Sequence, residues 1–530
     1  MMEAKQEIKT RGLRLLKKGQ KGLARVLFSR TGFITLLLFL NIFLFASFHL
    51  WLRDLIPPGL MQVISFSFIV GMVIYLLNSD MDPTSKITWL ILMAVVPTVG
   101  APLYFYVQAD WGHRNMKRLV AMMMKKTKSA LPQRSSTLER LREKAPEELP
   151  LWRYLQKVGN QAVCDQCQIR YFSSGEAKFE ALKEELQKAK RFIFLEYFIV
   201  DEGRMWGEVL EILAEKARKG VEVRLMYDGS CEFTTLTRDY PERLNKLGIK
   251  CRVFAPATPM VSTHYNYRDH RKIAVIDGQV AFTGGVNLAD EYFNEFPKYG
   301  LWMDAALMVR GEAARSFTLM FLQLWCMDER ASEISRWLLA HSPRFQDEKG
   351  FILPYSDCPL DDYRVGERVY MDILSRARKY VHIMSPYLIL DGELETALCF
   401  AAERGVDVKL ILPGIPDKKI PYALAKTYYG TLLKAGVEIY EYTPGFVHSK
   451  VFVSDDIRGV VGTINLDYRS LYHHFECAAY LYDVDCIADM EADFQSTLQA
   501  CRKVDTDYLR HRPLKQKLVG WLMRSIAPLF

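Results

Sequence analysis

Long stretches of apolar side chains dominate the beginning of the chain. Three such stretches cover residues 31–52, 59–77 and 87–107. The first has no charged residue over 22 positions, which is long enough for a helix to cross the hydrocarbon core of a bilayer. It also lacks the small-residue cleavage site of a secretory signal peptide. The pattern predicts transmembrane helices over residues 31–108, in preference to buried helices of a soluble domain.

Beyond residue 150 the apolar positions fall into short, strand-like runs that alternate with helical ones. The order of strand, helix and glycine-led strand over residues 191–254 recurs over residues 380–442. For example, "RKGVEVRLMYDG" in the first stretch corresponds to "ERGVDVKLILPG" in the second. Strands that alternate with helices are typical of α/β units around a mixed or parallel sheet. The sequence thus predicts two tandem α/β domains, residues 151–345 and 346–505, related by a pseudo-twofold.

The last segment, residues 506–530, has apolar and basic residues at helical spacing. This spacing predicts a helix, which either lies on an anionic lipid surface or packs on the protein's own core. Its apolar positions are Leu514, Leu518, Trp521, Leu522 and Ile526, and its basic positions are Lys515, Lys517 and Arg524.

Basic residues are concentrated beside the apolar stretches. The net charge is +8, and the arm 1–30 holds nine Lys or Arg residues against two acidic ones. The linker 109–150 contains a further basic stretch, residues 111–137, with seven basic residues and no acidic one. Both flanks favour the cytoplasm, whereas three complete spans would place them on opposite sides. Either the third stretch, which Pro and Gly interrupt, is re-entrant or interfacial, or one basic flank lies outside.

Composition supports a folded protein with its larger part in a reducing compartment. Half of the residues are apolar and a quarter are charged, which excludes a disordered chain. The ten cysteines are scattered. Cys164 and Cys167 are a close pair, but no second pair follows at the spacing of a zinc site. We expect reduced thiols and a catalytic portion that faces the cytoplasm.

A motif of the form His-x-Lys-x4-Asp occurs twice, and an Asn follows each His after 17 residues. Residues i and i+2 of a strand project to the same face, so each His and Lys pair is expected to point into one site. A small residue, Gly285 or Thr463, precedes each Asn and allows a ligand to approach the backbone. The two sets are His270, Lys272, Asp277 and Asn287, and His448, Lys450, Asp455 and Asn465.

Two histidines, two lysines and two asparagines around a pseudo-twofold suit the transfer of a phosphodiester group. A neutral His can attack phosphorus, and a protonated His can donate to the leaving oxygen. Each His needs an acceptor at its other ring nitrogen, for which Asp304 and Glu476 are candidates. Asp277 and Asp455 complete the catalytic candidates, but an Asp before Gly278 or Asp456 also anchors turns, so both interpretations stay open. The sequence predicts no metal site and no cofactor.

The doubled motif with its trailing Asn resembles the signature of the phospholipase D superfamily. Within it, the chain is most similar to bacterial cardiolipin synthases, as judged from "NYRDHRKIAVIDG", "FTGGVN", "HSKVFVSDD", "NLDYRS" and the N-terminal "DPTSKITWLILMAVVPTVGAPLYFYV". There are departures from this family. Met303 and Ala305 stand where an Arg and a polar residue are expected, and "HHFE" replaces an expected Asn-Phe-Glu. The stretch 31–52 exceeds the common two-span pattern.

This resemblance implies two phospholipase D-like domains that join two phosphatidylglycerol molecules into cardiolipin and glycerol at a bacterial cell membrane. It implies that His270 is the nucleophile, that His448 is the acid and base, and that no metal or cofactor takes part. The implied partners are phosphatidylglycerol and other anionic lipids, and association into homo-oligomers is left open. A membrane-bound phospholipase D or another phosphatidyltransferase is an alternative. A nucleic-acid phosphodiesterase is less favoured, because the basic segments flank membrane elements instead of the catalytic halves.

Overall fold

The structure is a computed structural model that describes residues 12–15, 43, 47, 57–95, 104, 111–256, 267–295, 298–327, 331–338 and 342–529. Its centre consists of two large sheets, each covered by helices on its outer face. The predicted α/β architecture with two similar units is confirmed. The domain boundaries proposed from the sequence stay predictions.

The first sheet has seven strands in the order β2-β10-β8-β7-β3-β4-β5. The pairs β3–β4 and β4–β5 are parallel, whereas the remaining pairs are antiparallel. The strands are β2 (Gln168–Phe172), β3 (Phe192–Tyr197), β4 (Glu222–Asp228), β5 (Lys250–Phe254), β7 (Lys272–Ile276), β8 (Val280–Gly284) and β10 (Ala306–Arg310).

The second sheet repeats this order as β11-β18-β17-β16-β12-β13-β14, with β1 and β19 added at its two edges. The seven repeated strands are β11 (Phe351–Asp357), β12 (Tyr380–Met384), β13 (Asp407–Pro413), β14 (Glu438–Tyr442), β16 (Val451–Ser454), β17 (Arg458–Gly462) and β18 (His474–Tyr482). The edge strands are β1 (Cys164–Asp165) and β19 (Cys501–Val504). Because β7 and β16 occupy equivalent positions, the two His-x-Lys segments are related by the repeat.

The inner faces of the two sheets share one hydrophobic core. Alternate residues of β7, such as Ile273 and Val275, pack in the same cluster as Val451 and Val453 of β16. The helix Ala313–Trp325 lies in this layer and is buried along almost its whole length. The shared core fixes the two halves face to face, and therefore also fixes the ends of β7 and β16 relative to one another.

Helices cover the outer faces and the ends of the sheets. Those of the first half are Gly175–Lys188, Arg204–Arg218, Cys231–Thr234 and Tyr240–Asn245. The helix Ala331–Leu338 follows the helix Ala313–Trp325, which lies between the sheets. Those of the second half are Val365–Arg376, Gly392–Glu403, Lys419–Ala425, Tyr429–Ala435 and Cys486–Gln499. Preceding or following the sheets are Pro58–Leu77, Pro83–Val95, Trp111–Lys126, Ser135–Lys144, Leu149–Gly159, Thr506–Arg510 and Leu514–Arg524.

Three short strands connect the halves. The segment β6 (Arg268–Asp269), which leads into His270, pairs with the beginning of β18 in the other sheet. Conversely, β15 (Gly445–Val447), which leads into His448, pairs with β9 (Leu301–Met303) of the first half. Each motif thus begins on a strand that is bonded to the opposite half.

The predicted membrane stretches are described only in part. Residues 31–52 lie almost wholly outside the described residues, the second stretch is part of the helix Pro58–Leu77, and the third begins within the helix Pro83–Val95. Within the part of the chain that the structure describes, no helix combines the length and the apolar character needed to cross a bilayer. The predicted transmembrane helices are therefore not confirmed.

The predicted C-terminal helix is present as Leu514–Arg524. It packs on the helix Lys419–Ala425 through Gly520, whose backbone lies so close that an added Cβ would be 2.6 Å from the carbonyl oxygen of Ala423. Arg524 donates to the carbonyl of Thr427 at 3.0 Å. The apolar residues Leu514, Leu518, Trp521 and Leu522 are exposed, so the helix contacts the protein through its other side.

Candidate active site

The two histidines lie where the connecting strands bring the halves together. The amide of His270 donates to the carbonyl of Phe475 at 2.9 Å, and the amide of His448 donates to the carbonyl of Met303 at 2.6 Å. Phe475 immediately precedes Glu476, and Met303 immediately precedes Asp304. The backbone pairing therefore places each His beside the acidic residue of the opposite half.

Asp304 and Glu476 each pair with a histidine, and both pairs cross between the halves. Nδ1 of His270 lies 2.8 Å from Oε1 of Glu476, and Nδ1 of His448 lies 2.7 Å from Oδ2 of Asp304. Both acids are fully buried, and each His is about nine-tenths buried. An acceptor at Nδ1 fixes the tautomer with its proton on that nitrogen and leaves the lone pair of Nε2 for chemistry.

Each lysine contacts the backbone of the histidine two residues before it. Nζ of Lys272 donates to the carbonyl of His270 at 2.5 Å, and Nζ of Lys450 donates to the carbonyl of His448. Both lysines are almost completely buried. Neither contact is an ion pair, so each ammonium keeps donor capacity for an anion.

Burial shifts the protonation of the whole site. It lowers the pKa of Lys272 to about 8 and that of Lys450 to about 7, because a buried ammonium loses its hydration. Burial, reinforced by the neighbouring lysine charges, holds the pKa of His270 and of His448 well below the ordinary value. Burial also raises the pKa of Asp304 to about 7. The free site therefore favours neutral histidines, and its two lysines lose their protons more easily than usual. A bound phosphate would stabilise the protonated lysines.

Gly285 and Thr463 occupy equivalent places but serve the two acids differently. A Cβ at position 285 would be 1.9 Å from Oδ1 of Asp304, so the glycine makes room for that carboxylate. Thr463 instead donates its hydroxyl to Oε2 of Glu476. The structure thus places both residues against the orienting acids, although the sequence suggested direct contact with substrate.

The two trailing asparagines are buried and differ in their bonding. Oδ1 of Asn287 accepts from the amide of Ile199 at 3.0 Å, and its Nδ2 donates to the hydroxyl of Tyr292 at 2.6 Å. Asn465 is 5% exposed, and its Oδ1 has no hydrogen-bond partner among the described residues. Asn287 therefore supports the loop beside β8, and Asn465 is the freer of the two to bind a ligand.

The aspartates of the two triads follow the C-terminal ends of β7 and β16, whereas the histidines precede these strands. Asp277 accepts from the amides of Lys190, Arg191 and Phe192 at 2.7–2.8 Å and has a positive φ of 56°. Asp455 binds the amides of Arg378, Lys379 and Tyr380 in the same way, at 2.8–2.9 Å, with a φ of 57°. This geometry favours the turn-anchoring interpretation, in which both aspartates lie outside the catalytic group.

Comparisons with known proteins agree with this geometry. A family model described as "Cardiolipin synthase, PLD-like domain" matches residues 182–325 and 370–498, which contain both motifs. The cardiolipin synthase of Alkalihalophilus pseudofirmus is 32% identical over 494 residues, covering 92% of this chain and 97% of that protein. An uncharacterized protein of Streptococcus mutans is 53% identical over 460 residues, covering 87% of this chain and 100% of its own length.

The chain belongs to the cardiolipin synthase family of phospholipase D-like proteins. As a member of that family it is an enzyme of the phosphatidyltransferase class. Among solved structures, the phosphatidylserine synthase of Haemophilus influenzae matches with a TM-score of 0.55 and 16% identity, over 72% of this chain and 98% of that one. At that identity the match supports the fold alone.

Several side chains around the candidate site were not predicted from the sequence. Phe198 packs against the ring of His270 at 4.9 Å between centroids, and Trp302 packs against His448 at 5.1 Å. Lys178 is buried, donates to the hydroxyl of Tyr197 at 3.0 Å and lines the same small cavity as Lys272. Burial lowers the pKa of Lys178 to about 7. No local motif marks these residues, because they come from separate elements.

His474 is the other residue that the sequence did not assign to the site. It belongs to the "HHFE" segment, which departs from the family pattern. The structure places its ring 5.2 Å from that of His270, and its Nδ1 3.7 Å from Oε1 of Glu476. A third histidine therefore adjoins the pair formed by His270 and Glu476.

Proposed function

We propose that this enzyme transfers a phosphatidyl group from one phosphatidylglycerol molecule to another, giving cardiolipin and glycerol. The main observation behind this proposal is the pair of His–acid contacts between the halves. These contacts orient two histidines beside the buried lysines. The names of the related synthases supply the substrate class. Two histidines suit a two-step transfer with a covalent intermediate, because one can attack while the other moves protons.

In the first step, Nε2 of His270 attacks the phosphorus of phosphatidylglycerol. A phosphorus–nitrogen bond forms, the bond from phosphorus to the glycerol headgroup oxygen breaks, and His448 in its protonated form donates a proton to that oxygen. Burial disfavours protonated His448 in the free site, but the phosphate charge of the bound lipid favours it. Lys272 and Lys450 stabilise the charge that develops on the phosphoryl oxygens.

In the second step, the terminal hydroxyl of another phosphatidylglycerol attacks the phosphohistidine. His448, now neutral, takes the hydroxyl proton, the phosphorus–nitrogen bond breaks and cardiolipin leaves. Glu476 and Asp304 keep the two rings oriented through both steps. Assigning the attack to His270 follows the family resemblance, because the geometry of the two halves is nearly symmetric.

An apolar cleft beside the site supports a lipid substrate. It is lined mainly by apolar and aromatic residues that include Leu388, Pro421, Tyr422 and Phe446, together with Asp417 and Lys418. Phe446 also lies 6.0 Å from the ring of His448. The cleft therefore adjoins the charged site, as an amphiphilic substrate requires.

We also propose that the enzyme works at a cell membrane. The support is the exposed apolar side chains of two helices, Pro58–Leu77 and Leu514–Arg524. The helix Pro83–Val95 connects the two: it packs against Pro58–Leu77, and its Thr88 donates to the carbonyl of Ser525 at 3.0 Å. An acyl-chain substrate would be delivered from the bilayer to which these side chains attach.

The test is to supply purified protein with phosphatidylglycerol vesicles and to quantify the products by mass spectrometry. Cardiolipin with an equal amount of glycerol is expected, and His270→Ala should abolish both. Phosphatidic acid as the product would mean that water is the acceptor and would make this enzyme a phospholipase D. Cleavage of oligonucleotides without any lipid product would instead establish a nucleic-acid phosphodiesterase.

A further inference from the structure

His474 is buried beside the active site without satisfying its own polar atoms. Its residue exposure is 8%, and neither ring nitrogen has a hydrogen-bond partner among the residues that the structure describes. Oε1 of Glu476 lies 3.7 Å from its Nδ1, which is too long for a hydrogen bond. A buried imidazole without a partner is costly, so a ligand that occupies its lone pair would stabilise it.

His474, His270 and Glu476 together have the arrangement of a metal site. One ligand atom from each residue lies within 4.8 Å of the others, and all three residues are buried. A zinc ion binds such atoms at about 2.0–2.2 Å, which sets neighbouring ligand atoms about 3.3 Å apart. The observed separations of 2.8 Å and 3.7 Å from Oε1 of Glu476 to the two Nδ1 atoms bracket that value.

We propose that His270, His474 and Glu476 bind one divalent transition-metal ion of the Zn²⁺ type, and that the bound ion blocks phosphatidyl transfer. Two imidazoles and one carboxylate suit zinc, with a fourth position open to water. Hard cations such as Mg²⁺ prefer oxygen ligands and are not expected at a site with two nitrogen ligands. The blocking effect rests on the proposed function, whereas metal binding does not.

Coordination would disable His270 through its tautomer. In the free site, Nδ1 carries the proton that faces Glu476, and Nε2 keeps the lone pair that attacks phosphorus. A metal on Nδ1 of the neutral ring moves the proton to Nε2, which then has no lone pair for the attack. A metal on Nε2 would occupy the attacking atom directly. Either mode stops the first step.

Among the residues that the structure describes, the other half of the pseudo-twofold has no equivalent site. Its His–acid pair is His448 with Asp304, and the residue two positions before Asp304 is Trp302. Trp302 stands against His448 as His474 stands against His270, but an indole provides no metal ligand. One ion of this type per chain is therefore expected, since the second candidate cluster among the described residues, Glu367, Asp391 and Glu393, has only carboxylate oxygens and favours hard cations.

The first experiment measures metal binding without reference to activity. Purified full-length protein would be titrated with Zn²⁺ in competition with a chromophoric chelator. One ion per chain is expected for the wild type, and at least a tenfold weaker affinity for His474→Phe. Phe fills the same space and leaves no protein group unpaired, because the ring of His474 donates and accepts no hydrogen bond within the described structure. His474→Asn serves as a second variant if the first does not fold.

The neighbouring histidine provides the matched control. His473 is outside the cluster, so His473→Phe should retain the wild-type affinity for Zn²⁺. Mg²⁺ at millimolar concentration should not compete. Absence of a bound Zn²⁺ in the wild type, or equal binding by wild type and His474→Phe, would overturn the proposal.

The second experiment measures transfer between phosphatidylglycerol molecules at increasing free Zn²⁺. The wild type should lose activity at the concentration that fills the site and recover with a chelator, whereas His474→Phe should need at least tenfold more Zn²⁺. Equal inhibition of both proteins would place the inhibitory ion elsewhere and refute the blocking role. If neither protein made cardiolipin, the proposed function would fail while the binding result still stood.

Discussion

At the scale of single residues, Gly285 determines whether Asp304 can approach His448. The substitution Gly285→Ala would put a methyl group 1.9 Å from Oδ1 of Asp304 and displace that carboxylate. Because misplacing a catalytic group by about 1 Å costs about 100-fold in rate, we expect kcat to fall by that order. Cardiolipin formation by the folded variant would be measured at saturating phosphatidylglycerol.

The control for this substitution is Gly430→Ala, since nothing lies within 4 Å of the position where its Cβ would be built. Gly430 is in the helix Tyr429–Ala435, where alanine is the better helix former. Unchanged kcat is expected for the control. A Gly285→Ala enzyme with wild-type kcat would show that the position of Asp304 does not limit the reaction.

The lowered lysine pKa values predict an unusually early loss of activity on the alkaline side. In the proposed mechanism the ammonium forms bind the phosphate, and with pKa values of about 8 for Lys272 and about 7 for Lys450 they are lost as the pH rises through these values. On the acidic side, the carboxylate of Asp304 is lost as the pH falls below about 7. We expect a bell-shaped profile of kcat/KM with its maximum near these values.

Lys272→Arg tests the origin of the alkaline limb, because a guanidinium keeps its charge in proteins. The limb should move to higher pH in this variant if Lys272 controls it. A wild-type profile that stays flat to pH 10 would mean that the lysine charges do not control binding of the free enzyme to its substrate.

At the scale of elements, Asp455 joins the turn after β16 to the beginning of β12. Its carboxylate accepts three backbone amides, so Asp455→Ala leaves those donors to water and removes the anchor of a turn with positive φ. We expect the free energy of unfolding to fall by about 2 kcal/mol, with kcat within about threefold of wild type. Denaturant unfolding and activity of the folded protein would check both.

Asp456 is the matched control for this prediction. It has a positive φ of 62° and is exposed, and its carboxylate accepts a hydrogen bond from the hydroxyl of Tyr380 at 2.9 Å. Asp456→Ala should therefore cost less stability than Asp455→Ala. If Asp455→Ala lost activity without losing stability, the aspartate would belong to the chemistry instead of the fold.

The strands also show which features of the fold could be predicted from the sequence. Strand periodicity predicted that His270 and Lys272 share a face, and the repeat predicted two similar sheets, because both are local patterns. The pairing of β6 with β18 and of β15 with β9 joins segments that are distant in the chain. Such pairing is set by tertiary packing, which no local pattern encodes. The sequence could therefore name Glu476 and Asp304 as candidate orienting acids. It could not place Thr463 and His474 beside Glu476, because that placement depends on tertiary packing.

At the scale of the whole molecule, the site exists only where the two halves meet. His270 depends on Glu476 of the second half, and His448 depends on Asp304 of the first. The shared core between the sheets holds these contacts in place. A single half would lack the acid that orients its own histidine, so the proposed site requires both of the duplicated units.

The exposed face of the C-terminal helix is expected to bind a lipid surface. Leu518, Trp521 and Leu522 are each more than 60% exposed, while Gly520 and Arg524 face the protein. Apolar side chains presented beside basic ones on a helix bind anionic interfaces, so Trp521→Ser should weaken binding to phosphatidylglycerol vesicles at least severalfold. Vesicle sedimentation would measure this, with Trp521→Phe as the control that keeps an aromatic anchor. Because Trp521 takes no part in the proposed chemistry, activity on detergent-solubilised lipid should persist. Equal vesicle binding by the Ser and Phe variants would show that this face of the helix does not contact the bilayer.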